Sequence, residues 1–320
     1  MARIITEETM SDNLLPDRLP DHATIVRNAA LRDYTTFKLG GPCPALIDCP
    51  DPDVLTDVVR LLAAASKRFL VIGQGSNLLV SDQGIPDIVL RYCADERPDV
   101  EFDGCRVKVS GHTLLDDLAR LTVERGVGDI TFCSGIPGTV GGAIAGNAGA
   151  FGRQIGDVIE SVRLLDASGS TRQAAPEELD LAYRSSALKE SGETVLDAVL
   201  KLKPCDTAAM IRERERIMEL RRSKHPDWQA TPCAGSVFRN IEPTSAADRR
   251  QAAGWFLEQA GAKDFRIGGA RLFEKHANII IAEPSARAVD VFELSEMMIS
   301  AVREKFGFAL VREIKLVGEF

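Results

Sequence analysis

Between Ser134 and Gly152 the chain reads SGIPGTVGGAIAGNAGAFG, a run without a single charged residue that few folds can accommodate. A tight helix crossing or a turn accounts for one or two glycines, because only at such points must a Cβ be absent. A whole stretch of glycine and small residues removes bulk over a long surface. That suits a flat aromatic ligand, such as an isoalloxazine ring, laid against the backbone. Two shorter segments share this character, Thr35-Thr36-Phe37-Lys38-Leu39-Gly40-Gly41 and Gly73-Gln74-Gly75-Ser76-Asn77. The second follows RFLVIG at Arg68–Gly73, an apolar run predicted to be a buried strand. Its glycines permit a tight turn whose successive N–H groups form a concave site for a pyrophosphate, with Ser76 and Asn77 adding side-chain hydrogen bonds. A Rossmann turn does not fit, since position 78 is leucine where a third glycine belongs and LLVSD reads as strand. The P-loop pattern is absent as well.

The rest of the chain alternates helical and strand-like patterns. Asp51–Lys67 and Leu114–Gly126 have apolar positions at helical spacing, and Asp87–Arg91, Arg106–Gly111 and Ser161–Gly169 read as strands. After Pro204 the composition shifts. Thr207–Lys224 is charge-dense, with Glu and Arg placed to pair along a solvated linking helix. A strand-like SVFRN, a helix around Ala246–Gly261, the β-run ANIIIA, a helix near Ala288–Phe306 and a final strand ALVREIKLVG follow. Such an order predicts a compact α+β or α/β C-terminal domain.

At 320 residues the chain is long enough for two or three domains. Its formal net charge of -8 argues against a protein that coats nucleic acid or anionic lipid, both of which need a basic face. The seven cysteines never form C-x-x-C, so reduced thiols are expected rather than a disulfide framework or a zinc ribbon. Residues 1–22 read as a polar, acidic extension without the pattern of a secretory signal, and no apolar run reaches the roughly 18 residues of a membrane span. A cytoplasmic protein without membrane insertion is expected.

Taken in order, TTFKLGG, GQGSNLLVSDQG, SGIPGTVGGAIAGNAGAFG, AYRSS, CAGSVFRN, GWFLEQAG, KHAN and FGFALVREIKLVGE resemble the UDP-N-acetylenolpyruvoylglucosamine reductase family over nearly the whole chain. The resemblance implies an α+β protein with an FAD-binding domain of the vanillyl-alcohol-oxidase (PCMH) type in two lobes, then a C-terminal α+β substrate-binding domain. Boundaries are expected at 23–204 for the first, with the lobes dividing near 92, and at 205–320 for the second. It also implies the reaction. NADPH reduces FAD, and the enolpyruvyl ether of the UDP-sugar is then reduced to UDP-N-acetylmuramate for peptidoglycan and cell-wall biogenesis, on which cell shape and division depend.

The resemblance assigns residues by motif. Ser236 matches the proton donor to C2, Arg184 the group that stabilises the enolate through the substrate carboxylate, and Glu313 a second such group. To donate a hydrogen bond Glu313 must be protonated, a state that burial favours. Tyr183, Lys224 and Asn240 match substrate-binding positions. Contacts to FAD are expected from Thr36, Gly73, Gln74, Gly75, Ser76, Asn77, Ser134, Ile136, Pro137, Gly138, Thr139, Gly141, Gly142, Asn147 and Gly149. His276, a lone histidine in KHAN, is read as structural. The chain departs from the family pattern over Pro226–Cys233, at Ile241 after Asn240 and at Lys315, and has no room for the long tyrosine-bearing insertion of one branch. A flavin-dependent oxidase of the same fold is the alternative reading, though it gives no reason for AGSVF, YRSS and VREI together.

Overall fold

The computed structural model describes residues 19–93, 98–128, 130–242 and 250–320, so most of the 1–22 extension and residues 246–249 of the helix expected around Ala246–Gly261 lie outside the described residues. Within them that helix begins only at Ala253, Gln251 being bridged to Ile241. Two compact units are present, each assembled from separated stretches of chain. The first takes in the described residues up to Ala29, Cys43–Gln74 and Pro86–Ile217; the second Ala30–Pro42, Gly75–Ile85 and Met218–Phe320.

Two sheets make up the first unit. In the smaller, Thr24–Ala30, Pro42–Asp48, Ile88–Arg91 and Phe69–Ile72 lie in that order. Pro42–Asp48 and Phe69–Ile72 both run parallel to Ile88–Arg91, which requires a crossover between them. The Pro52–Ala64 helix supplies it. Asp51 caps this helix by accepting from the N–H groups of Asp53 and Val54, and Pro52 stands where its missing N–H costs nothing. Val54, Leu55, Val58, Val59 and Leu62 face Ile47, Ile88 and Leu90 in one core. The larger sheet is antiparallel, in the order Thr171–Ala174, Ile159–Leu165, Thr194–Lys201, Arg106–Ser110 and Val100–Asp103. The Leu115–Glu124 and Val140–Ala145 helices contribute Leu115, Leu118, Val140 and Ile144 to its core.

In the second unit the strands Cys233–Ser236, His276–Ala282, Ala270–Phe273 and Arg266–Ile267 form an antiparallel sheet. The Ala288–Phe306 helix buries Val291, Leu294, Met298 and Val302 in the core that includes Ile279 and Ile281. Both Asp82 carboxylate oxygens cap it, accepting from Ala288 N–H and Val289 N–H, and Gly307 ends it at φ 80°. The closing segment is less regular than its sequence suggests. Only Lys315–Val317 is strand, parallel to Leu78–Val80, because Val311 and Glu313 give their backbone bonds to Arg239 and Val237.

Candidate functional site

In the first unit the glycine loops are tied to each other. Gln74 Oε1 accepts from Gly138 N–H at 2.6 Å, joining the turn after the Phe69–Ile72 strand to the long glycine run. Thr139 Oγ1 caps the short helix that follows, accepting from Gly142 N–H at 3.3 Å. A Cβ on Gly73 would stand 2.5 Å from that same Thr139 oxygen, and one on Gly149 would overlap the Arg153 carbonyl. Gly141 has Gly111 and Val195 carbonyls close by. Several of these glycines are therefore required by protein neighbours, and a count of glycines overstates the surface left open to a flat ligand. Gly142 meets only ordinary contact and leaves its face clear.

The Tyr183-Arg184 turn is stapled onto this loop. Ala182 and Ser185 exchange both backbone hydrogen bonds at 3.1 Å, leaving Tyr183 and Arg184 at the tip. Arg184 has φ 55°, a left-handed conformation that costs a non-glycine residue about 1 kcal/mol. Bonds to the glycine-rich loop hold the turn there. Asn147 Nδ2 donates to Ala182 O at 2.8 Å, Ser186 Oγ to Ala145 O at 2.7 Å, and Arg184 Nη2 to Gly149 O at 2.9 Å. The guanidinium also lies 5.5 Å from the Tyr183 ring centroid. Asn147, fully buried, accepts from Gly156 N–H with its other amide atom, so its side chain fixes the YRSS turn.

The second unit gathers Ser236, Glu313 and Asn77. The Cys233–Ser236 strand pairs with His276–Ala282 through a register shift, with Gly235 at φ 69° in the irregular part and Ser236 opposite Ile279 just after it. Glu313 N–H donates to Val237 O at 2.7 Å, one residue beyond the serine. Asn77 Nδ2 donates to Glu313 O at 3.1 Å, while Asn77 O accepts from Lys315 N–H. The GQGSN loop thus positions the glutamate segment. Ser236 and Glu313 are both half-buried. Gly75, at φ 67°, accepts from Thr36 N–H, and a Cβ there would overlap the Tyr34 carbonyl. Asn240 Oδ1 accepts from Ala253 N–H at 3.2 Å, and Lys224 is exposed at the end of its helix. A groove of about 890 Å³ in this unit is lined by Arg32, Lys38, Arg271 and Arg287 together with Phe37 and Leu39. Neither Ser236 nor Glu313 lines it, so this groove is not where these motifs converge.

Two hydroxyls lack a partner where a cofactor was expected. Ser134 Oγ in the first unit and Thr36 Oγ1 in the second are buried and bond to no group among the described residues. A buried hydroxyl without a partner is costly, and a ligand that hydrogen-bonds it removes that cost. The residues present fit FAD in this respect.

Local sequence pattern did not signal several further arrangements. Arg214, from the charge-dense helix, pairs bidentately with Asp116 at 2.6 and 3.0 Å, and Asp116 accepts from Gly135 N–H at 2.7 Å. Burial would raise the Asp116 pKa, but the Arg214 and Gly135 hydrogen bonds outweigh it and hold the carboxyl below the usual range. Asn278, the asparagine of KHAN, grips the strand beyond Ser236. His225 and His276 have ring centroids 5.5 Å apart, and burial lowers both, His225 to about 4. Of the seven cysteines only Cys205 is exposed; Cys133 and Cys233, beside the motifs, are buried, and burial pushes the Cys233 thiol up. Among the described residues no group of His, Cys, Asp and Glu forms a metal site, and no helix is long and apolar enough to cross a membrane.

Comparison with known proteins covers both units. A model described as "FAD binding domain" matches residues 44–175, and one described as "UDP-N-acetylenolpyruvoylglucosamine reductase, C-terminal domain" matches 226–317. A UDP-N-acetylenolpyruvoylglucosamine reductase from Bacillus subtilis is 33% identical over 92% of this chain and 94% of its own. One from Acaryochloris marina is 37% identical over 91% of this chain and 92% of its own. The crystal structure of the UDP-N-acetylenolpyruvylglucosamine reductase from Thermus caldophilus superposes with a TM-score of 0.74 at 30% identity, covering 93% of this chain and 99% of that one.

Proposed function

This chain belongs to the UDP-N-acetylenolpyruvoylglucosamine reductase family and is a flavin-dependent oxidoreductase, and we propose that it reduces UDP-N-acetylenolpyruvoylglucosamine to UDP-N-acetylmuramate at the expense of NADPH. The product feeds peptidoglycan precursor synthesis in the cytoplasm. The observation that carries the reading is the placement of Glu313 beside Ser236: Glu313 N–H donates to the O of Val237, next to the serine, and Asn77 Nδ2 donates to Glu313 O.

FAD, when bound, supplies the hydride chemistry. Thr36 and Ser134 offer it their unpartnered hydroxyls, and the 73–77 and 134–142 loops offer backbone with little side-chain bulk. The substrate alkene is conjugated to a carboxylate, so hydride addition at C3 builds negative charge on C2 and the carboxylate. Arg184 is assigned to neutralise that charge and Glu313 to support it through hydrogen bonding. Ser236 delivers the proton to C2. A hydroxyl is a weak acid, so this step depends on placement within reach of C2. Tyr183 and Asn240 orient the substrate, and the exposed ammonium of Lys224 suits its diphosphate.

Colour tests the reading. Purified protein should be yellow and should bleach anaerobically with NADPH. Enolpyruvyl-UDP-N-acetylglucosamine should then restore the colour. Rapid reoxidation by O₂ with no response to that substrate would mean an oxidase instead.

A further inference from the structure

The strand that carries Ser236 leaves its ladder just where it matters. Regular pairing with the His276–Ala282 strand ends at Ser236, after the irregular turn at Gly235. Beyond that point Asn278 takes over. Its backbone O accepts from Val237 N–H at 2.8 Å. Its side chain then treats Phe238 as a second strand would. Oδ1 accepts from Phe238 N–H at 3.0 Å, and Nδ2 donates to Phe238 O at 2.8 Å. Phe238 and Asn278 are both buried, at 1% and 2% exposure, so no water is at hand to replace these bonds. The backbone of Asn278 is held as well, since its N–H donates to His276 Nδ1 at 3.2 Å. On the opposite side, Val237 O accepts from Glu313 N–H and Arg239 N–H donates to Val311 O.

We infer that Asn278 is a positioning residue for Ser236, its side-chain amide fixing the strand so that the hydroxyl is held where the proton is needed. The inference rests on the reaction proposed above. Asparagine is the residue the geometry demands. One acceptor and one donor on a short planar group meet the N–H and C=O of the same residue, Phe238. Aspartate of the same shape retains the acceptor and loses the donor. It would face the Phe238 carbonyl with a second acceptor, and the strand would shift to relieve that contact. A misplacement on the order of 1 Å is enough to lower a proton transfer severely while leaving the substrate pocket in place.

The test separates the two half-reactions in Asn278→Asp. FAD content and the rate of flavin bleaching by NADPH should match the unaltered enzyme, which shows that the fold and the cofactor site survive. Reoxidation by the enolpyruvyl substrate should slow on the order of 10- to 100-fold, with the substrate dissociation constant unchanged. A general loosening of the fold would instead lower both half-reactions together. The pair Asn278→Asp with Ser236→Ala should be no slower than Ser236→Ala alone, because a residue acting through the hydroxyl has nothing left to position. Independent, multiplying losses would overturn the inference, as would normal reoxidation in Asn278→Asp. Should Asn278→Asp lose its flavin, Asn278→Ser enters the same comparison, being too short to span Phe238 but polar enough for the site. Unaltered enzyme that bleaches with NADPH yet ignores the substrate would defeat the proposed function itself, and this inference with it.

Discussion

The two units hold their motif residues in opposite ways. In the first, the parts come from two short stretches 35 to 41 residues apart: Ala145, Asn147 and Gly149 receive or make the bonds that set Ala182, Arg184 and Ser186. In the second, the parts come from residues 77, 237, 278 and 313, joined mostly through backbone groups. The first arrangement makes a strained turn tolerable by attaching it to a glycine-rich loop. The second sets two side chains on neighbouring extended segments, where a ladder fixes spacing without strain. A strained turn invites repositioning of its charge, whereas a ladder resists it. The enolate stabilisation proposed for Arg184 would tolerate such adjustment, whereas the proton delivery proposed for Ser236 would not.

The contrast is sharpest at Ser236. Ser236→Ala should leave bleaching by NADPH intact and slow reoxidation by substrate roughly 10²- to 10⁴-fold, measured by anaerobic stopped flow. Equal losses in both halves would mean that the serine is structural and that the second unit has no chemistry of its own.

Acid should distinguish the units next. Burial keeps His112 in the first unit and His225 and His276 in the second below their ordinary value of 6.5, His225 to about 4. These groups bind protons more readily when the chain is unfolded, so stability is full above about pH 6.5 and drains as the pH falls towards 4. For His225 the loss is about 3 kcal/mol or less. Thermal unfolding across this range should show the second unit moving more, since it holds two of the three histidines. Unfolding temperatures that are flat between these values would show that the histidines charge without disturbing the fold.

The glycines can be tested by relief. Gly73→Ala should weaken FAD binding through overlap with Thr139, at a cost of about 1–3 kcal/mol. Adding Thr139→Ala should restore part of the affinity, read by flavin titration of apoprotein. No recovery would place the Gly73 Cβ against the cofactor instead of the protein. The smallest effect expected is in Arg214→Gln, which leaves Asp116 without its ion pair but still bonded to Gly135 N–H. A loss of about 1 kcal/mol in stability, with weaker flavin retention, should result.

Much of the fold was legible in local pattern. The Thr207–Lys224 and Ala288–Phe306 helices fall where charge spacing and an amphipathic pattern put them. The strands before Gly73 and around Ile279 are short apolar runs of the expected length. What escaped was the use of polar side chains on distant backbone. Asn77 and Asn147, read as cofactor contacts, give side-chain atoms to Glu313, Ala182 and Gly156. Arg214 looked like one more solvated charge, because helical periodicity says nothing of a carboxylate 98 residues away. The candidate chemistry itself was legible only through motif order, since Ser236 alone reads as a turn serine and Glu313 as a strand glutamate.

The distribution of the seven thiols has a practical consequence. Cys43 and Cys49 have pKa values pushed up by burial to about 11 and about 12, and Cys233 is raised for the same reason, so none presents a thiolate near neutrality. Cys205 alone is exposed. An electrophilic dye should therefore attach first at this position in the native enzyme, with the half-buried Cys105 next to react, giving a built-in address for a spectroscopic reporter. The same asymmetry should let the enzyme pass through mild oxidative stress with its chemistry intact, bearing any early damage at a site remote in sequence from Ser236 and Arg184.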